Sequence, residues 1–151
     1  MTKLTPLSVN VGGLLPRLVR MVAEWEPGDL DHERAYHRSL EEFLRRRNPD
    51  ATIEREYRHL GTTVDLYVEY SPLWARIWGK KREAFIEIKR DLKRKSDYNR
   101  LVGQIEDLDP RRNLVLVILC GDTAPQWLTR LGEQYRDELD DDDGRLAIIE
   151  K

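Results

Sequence analysis

Two neighbouring segments carry side chains whose types and spacing could do chemistry. Thr62 to Tyr70 (TTVDLYVEY) alternates strictly, which predicts a strand with Val64, Leu66, Val68 and Tyr70 on one face and Asp65, Tyr67 and Glu69 on the other. Glu83 to Arg90 (EAFIEIKR) predicts a second strand, with Ala84, Ile86 and Ile88 on one face and Phe85, Glu87 and Lys89 on the opposite one. Paired as a hairpin, the two strands bring Asp65 to the side of Glu87, within metal-chelating reach. Two carboxylates and a nearby backbone carbonyl suit a hard cation such as Mg²⁺ or Mn²⁺. Lys89 beside them can orient a water or stabilise charge developing on a phosphate. The same residues also read as an ordinary solvent-facing strand side, and an isolated Glu-x-Lys does not separate the two.

Other chemistries are absent from the pattern. There is no Gly-x-x-x-x-Gly-Lys-Ser/Thr loop and no Gly-x-Gly-x-x-Gly after a strand. His32 and His37 are five residues apart, on different helix faces, whereas chelation of zinc from one helix needs a spacing of four. The single cysteine, Cys120, rules out an internal disulfide framework or a Cys-based zinc site, and its place at the end of an apolar run reads as a packed core thiol.

The elements that must position these residues follow from periodicity. Leu14 to Trp25 has helical spacing, with Pro16 in the first turn, and Glu26-Pro27-Gly28-Asp29 breaks the chain. A second helix, capped by Asp31 and ended by Asn48-Pro49, carries Tyr36, Leu40 and Leu44 on an inward stripe that includes Glu33. An acid on an inward face calls for a partner or a ligand, although a first-turn acid also answers the helix dipole. Ala51 to Tyr57 predicts a short strand, and Gly61 marks a turn before Thr62. Ser71 to Arg82 connects the two site strands and carries Trp74 and Trp78. Ser96 or Asp97 caps a helix that runs to about Leu108 with Leu101 and Ile105 inward. Leu114 to Cys120 (LVLVILC) predicts a strand buried on both faces. Thr123 to Pro125 opens a helix with Trp127, Leu128, Leu131, Tyr135 and Leu139 inward, and Leu146 to Ile149 closes the chain as a strand.

The order of Glu33 on a leading helix, Asp65 in one strand, Glu87-Ile88-Lys89 in the next, and Gln104 on the following helix resembles the PD-(D/E)XK nuclease superfamily. The resemblance covers about residues 32 to 108, through HERAYHRSLEEFL, GTTVDLYVEY, FIEIKR and SDYNRLVGQIEDL. It implies a restriction-endonuclease-like α/β fold, a mixed central sheet flanked by helices. It implies that Asp65 and Glu87 hold one or two divalent ions, Mg²⁺ or Mn²⁺, with the Ile88 carbonyl as a further ligand. Lys89 then assists the attacking water, Glu33 supports the metal shell, and Gln104 joins the site. Val64 stands where the family's motif has proline, and residues before Leu30 match no part of its core. The expected domain is therefore residues 31–151, with 1–30 as an N-terminal helical extension.

Charge fits an anionic substrate. The formal net charge of −2 hides a segment from Arg76 to Arg100 with ten basic and four acidic residues, offset by acids elsewhere, including Asp137 to Asp143. Arg90, Lys93, Arg94, Lys95 and Arg100 follow the catalytic strand where a nucleic-acid backbone would pass, or else form a solvated surface. The expected function is metal-dependent hydrolysis of phosphodiesters, in DNA before RNA. The competing class is a catalytically inactive nuclease-fold module that binds nucleic acid or a protein partner. A homodimer suits double-strand cutting. With no apolar run of the ~18 residues a membrane helix needs and no signal-peptide stretch at the start, the expected setting is cytoplasmic, with no membrane contact.

Overall fold

Apolar runs that can be buried on both faces occupy the middle of the sheet, and amphipathic helices cover them. The computed structural model describes residues 3–4, 14–70, 82–140 and 144–151. The elements are β1 (Lys3–Leu4), α1 (Leu14–Glu24), α2 (Glu33–Arg47), β2 (Thr52–His59), β3 (Thr62–Tyr70) and β4 (Arg82–Arg90), followed by α3 (Lys95–Leu108), β5 (Leu114–Cys120), α4 (Pro125–Gln134), α5 (Arg136–Asp140) and β6 (Leu146–Glu150). Among the described residues, six strands lie in the order β1-β6-β5-β4-β3-β2. β4, β5 and β6 are parallel, and β2, β3 and β1 are antiparallel to their neighbours. The chain is thus α/β with a mixed sheet flanked by helices.

Alternate residues of β5 feed two cores. Leu116, Ile118 and Cys120 pack with Leu66, Ile86 and Ile88 under α1 and α2, which contribute Leu18, Val22, Leu40 and Leu44. Val115, Val117 and Leu119 pack with Phe85 and Ile148 under α3 and α4, through Leu101, Ile105, Trp127 and Leu131. An apolar side chain at every β5 position is what burial on both faces demands. α1 belongs to the same core as α2, and β1 extends the sheet beyond β6.

Several local expectations differ from the structure, each for a physical reason. His32, not Asp31, caps α2, its Nδ1 accepting the Ala35 N–H at 3.1 Å. α3 starts at Lys95 with Arg94 at the cap position, which leaves Asp97 in the first turn rather than at the cap. The last amphipathic stretch breaks at Tyr135 into α4 and α5, although Tyr135 and Leu139 stay buried. The β2–β3 turn puts both Leu60 (φ 49°) and Gly61 (φ 85°) in the left-handed region between paired His59 and Thr62, the requirement of a type I′ hairpin.

The alternation along β3 is not strict. Val64 packs with Tyr67 and Phe85, on the opposite side from Leu66 and Val68. Across from Asp65, Glu56 of β2 has φ 53°, and the Glu56–Asp65 step is missing from a register that is otherwise continuous from Arg55↔Leu66 to Tyr57↔Val64. A non-glycine residue in this conformation twists the ladder locally, so the face changes at Asp65. Trp74, Trp78, Arg76, Lys80 and Lys81 lie outside the described residues, as do Asp141 to Asp143.

Candidate active site

The site forms where β3 and β4 separate. Their pairing ends at Leu66↔Ile86, while β4 stays paired with β5 as far as Arg90↔Cys120. The β4 backbone donors left without a strand partner need acceptors. Carboxylates supply them: Asp65 Oδ2 accepts the Ile88 N–H at 2.8 Å, and Glu33 Oε2, from the first turn of α2, accepts the Arg90 N–H at 3.2 Å. Because the N–H and C=O of one strand residue point to the same edge, the Ile88 carbonyl shares the side that Asp65 occupies.

Glu87 is the residue that packing does not explain. Carried one step past Leu66↔Ile86, the register sets it opposite Asp65, and it is 1% exposed. That burial overturns the solvent-facing reading of this position. Its carboxyl is pushed up to about 10, first by burial, then by the charge of Asp65 and a hydrogen bond with its side chain; the Asp65 N–H acts in the opposite direction, and Glu33 adds a smaller rise. Glu87 Oε1 has no hydrogen-bond partner among the described residues. His37 Nε2, buried one turn along α2 from Glu33, is likewise unpartnered and lies 3.5 Å from Asp65 Oδ2. Of the three buried side-chain polar atoms left unsatisfied among the described residues, two therefore flank the same carboxylate, the third being Thr123 Oγ1.

Lys89 Nζ completes the group, 3.7 Å from Glu33 Oε2 and 4.0 Å from Asp97 Oδ1. The Asp97 carboxyl is held below the usual carboxylate range, foremost by its hydrogen bond from Arg94 and against the effect of desolvation, with Lys89 and Arg100 adding to the lowering. Among the described residues, no three His, Cys, Asp or Glu side chains converge as a ready metal-binding group. Glu33 is turned toward Lys89 and Arg90, and Asp65 toward Ile88.

Comparison with family models, with curated proteins and with solved structures finds no match to this chain. The site has to be argued from its own geometry.

That geometry brings together Asp65, Glu87, Lys89 and Glu33, with the Ile88 backbone between them. Gln104 is half-buried on α3, and its side chain makes no hydrogen bond among the described residues. Of the predicted backbone-binding residues, Arg90 donates to the Asp31 carbonyl at 2.9 Å and pairs with Asp91 at 3.5 Å, Lys93 pairs with Asp122 at 2.9 Å, and Arg94 pairs with Asp97 at 3.0 Å. Lys95 and Arg100 are exposed and form no ion pair among the described residues. Beside the site, a cavity of about 670 Å³ opens at the carboxyl ends of β4, β5 and β6, lined by Trp25, Tyr36, Arg90, Asp91, Gly121 and Lys151 among others. Cys120 is buried, its thiol pushed up to about 12 by burial, as a core thiol should be.

His37 and Asp97 were not singled out as site residues from sequence. A signal existed for the first: Glu33 and His37 are four apart, so both face one side of α2. Asp97 read as a helix cap, because only the close approach of the start of α3 to the end of β4 sets it beside Lys89.

Proposed function

We propose that this protein is a metal-dependent nuclease of the restriction-endonuclease-like, PD-(D/E)XK type, hydrolysing phosphodiester bonds in DNA in preference to RNA. The observation that carries the reading is the buried Glu87 carboxyl. It has an unsatisfied oxygen, sits against Asp65 and lies two residues before Lys89 on the same strand. Burying the Glu87 carboxyl against half-buried Asp65 is costly, and a proton or a cation shared between them offsets that cost. A divalent ion suits this donor set, which offers carboxylate oxygens and a backbone carbonyl. Asp65, Glu87 and the Ile88 carbonyl would hold it, and Glu33 would support it once released from Lys89.

The bound ion supplies Lewis-acid polarisation of the phosphate and a lowered pKa for the attacking water. Lys89 positions that water and offers a positive charge to the developing oxyanion, held in place by Glu33 and Asp97. Lys95 and Arg100 hold the substrate backbone, since they are the predicted contacts not already paired to a carboxylate. Two strands are cut most simply by two copies of the site, which makes a homodimer the assembly suited to duplex DNA.

The test is incubation with supercoiled plasmid, single-stranded DNA and single-stranded RNA in Mg²⁺ or Mn²⁺, beside an EDTA control. The reading expects metal-dependent DNA cutting that EDTA abolishes. A folded protein that binds nucleic acid in EDTA and never cuts would be the non-enzymatic module instead.

A further inference from the structure

The cavity at the carboxyl ends of β4, β5 and β6 has no role in the mechanism above, yet crevices in this position are where open α/β sheets bind ligands. It adjoins the candidate site through Arg90, which follows Lys89 on β4, gives its backbone N–H to Glu33 and lines the cavity. A volume of about 670 Å³ has room for a nucleoside. The walls are fixed before any ligand arrives. Asp91 (φ 54°) and Gly121 (φ 72°) follow β4 and β5 in the left-handed conformation, and Asp91 Oδ1 accepts the Asp122 N–H at 2.9 Å. The Tyr36 hydroxyl accepts the Leu30 N–H at 3.1 Å and donates to the Gly28 carbonyl at 3.3 Å, which pins the loop between α1 and α2 as a rim. Trp25 Nε1 donates to Ser39, so Trp25 and Tyr36, whose rings meet edge to face at 6.5 Å, line the cavity with ring surface.

The polar chemistry of the cavity is one-sided. Glu26, Asp29 and Glu150 line it, and their carboxylates form no hydrogen bond or ion pair among the described residues. Its cations are engaged, Arg90 with Asp91 and the Asp31 carbonyl, and Lys151 with the Ala23 carbonyl. Carboxylates repel phosphate and accept from N–H groups, so a nucleotide enters base first. Guanine presents two adjacent donors on its Watson–Crick edge, N1–H and N2–H, the fork that a carboxylate accepts with both oxygens. Thymine sets its one donor between two carbonyls, which a carboxylate repels. The guanine edge is free only when the base is unpaired. We propose that this cavity takes up an unpaired guanine of the substrate strand next to the bond to be cut, with Glu26, Asp29 or Glu150 accepting its N1–H and N2–H. The inference rests on the nuclease reading above and deepens it by naming a base preference and a strand that is single or locally opened.

Free nucleosides serve as the probe, on the full chain and without metal. Calorimetry should show deoxyguanosine binding at least about tenfold more tightly than deoxyinosine, which lacks only the N2 amino group, and more tightly still than thymidine. Combining Glu26→Gln, Asp29→Asn and Glu150→Gln, which breaks no ion pair among the described residues, should abolish that preference. Sequencing the ends cut from single-stranded DNA in Mn²⁺ should place guanine beside the break. Equal binding of the three nucleosides, spermidine bound in their place, or a deoxyguanosine preference that survives the triple variant overturns the guanine assignment. Metal-dependent cutting with no guanine preference does the same and leaves the nuclease reading standing. Selective deoxyguanosine binding by a protein that never cuts supports the cavity assignment and overturns the nuclease reading. Neither binding nor cutting overturns both. The comparison of deoxyguanosine with deoxyinosine uses the wild-type protein, so misfolding of the variant does not decide the matter.

Discussion

Replacing Glu87 by glutamine isolates the electrostatic strain at the site. In the unfolded chain this carboxyl titrates near 4.5, and in the folded protein it is pushed up to about 10. Between those values the folded state holds a proton that the unfolded state has lost, so this group's contribution to stability is greatest below about 4.5 and falls as pH rises toward 10. The slope approaches about 1.4 kcal/mol per pH unit, or about 2–3 kcal/mol between pH 6 and pH 8. Glu87→Gln removes the titration while keeping the shape. In EDTA, urea melts at pH 6, 7 and 8 should therefore show the variant gaining on the wild type by that amount as pH rises. On the proposed metal-dependent reading a divalent ion would displace the proton, so saturating metal should return stability to the wild type at pH 8, by about 2.7 kcal/mol at a hundred times the Kd, and leave Glu87→Gln nearly unchanged. Wild-type and variant curves that run parallel from pH 6 to 8 would refute the account of a buried carboxyl held beside Asp65.

Three further outcomes are expected. Lys89→Ala should keep the fold, by circular dichroism, and lose about 10²–10⁴-fold in cleavage rate, since the proposed mechanism has Lys89 aid the water. Leu60→Asn should raise the urea midpoint by an amount equivalent to about 0.5–1 kcal/mol, because Leu60 is 91% exposed and strained at φ 49° in a turn that prefers asparagine before glycine. Gly121→Ala should cost more than about 1 kcal/mol by the same assay. Its φ is 72°, and an added Cβ would stand 2.4 Å from Asp91 Oδ1, an oxygen already fixed by the Asp122 N–H.

Long, regular patterns were legible in the sequence. Leu114 to Cys120 reads as a strand buried on both faces because every position is apolar, and β5 is that strand. The inward stripe of α2 places Glu33 beside β4, where it meets the Arg90 N–H. Features set by one residue's backbone or by distant packing were not legible. The face change at Val64 comes from the conformation of Glu56 on a neighbouring strand, and the break at Tyr135 does not disturb the apolar spacing that predicts one helix. β1 has two residues and owes its place to the exposed edge of β6 rather than to any pattern of its own. At the candidate site, hairpin pairing predicts the closeness of Asp65 and Glu87, one step beyond the last paired residues Leu66 and Ile86. The ladder opening that exposes the Ile88 and Arg90 donors is a three-dimensional event, and with it came Asp97 and His37.

The central claim is cleavage that depends on a metal held at Asp65 and Glu87 and on Lys89. It is tested most directly by cutting assays on wild type, Glu87→Gln and Lys89→Ala with labelled DNA, each protein assayed for Mn²⁺ binding in parallel. The account predicts that wild type binds and cuts, that Lys89→Ala binds and does not cut, and that Glu87→Gln does neither. Cutting that persists in both variants, or a folded wild type that binds no divalent ion and cuts nothing, would contradict it.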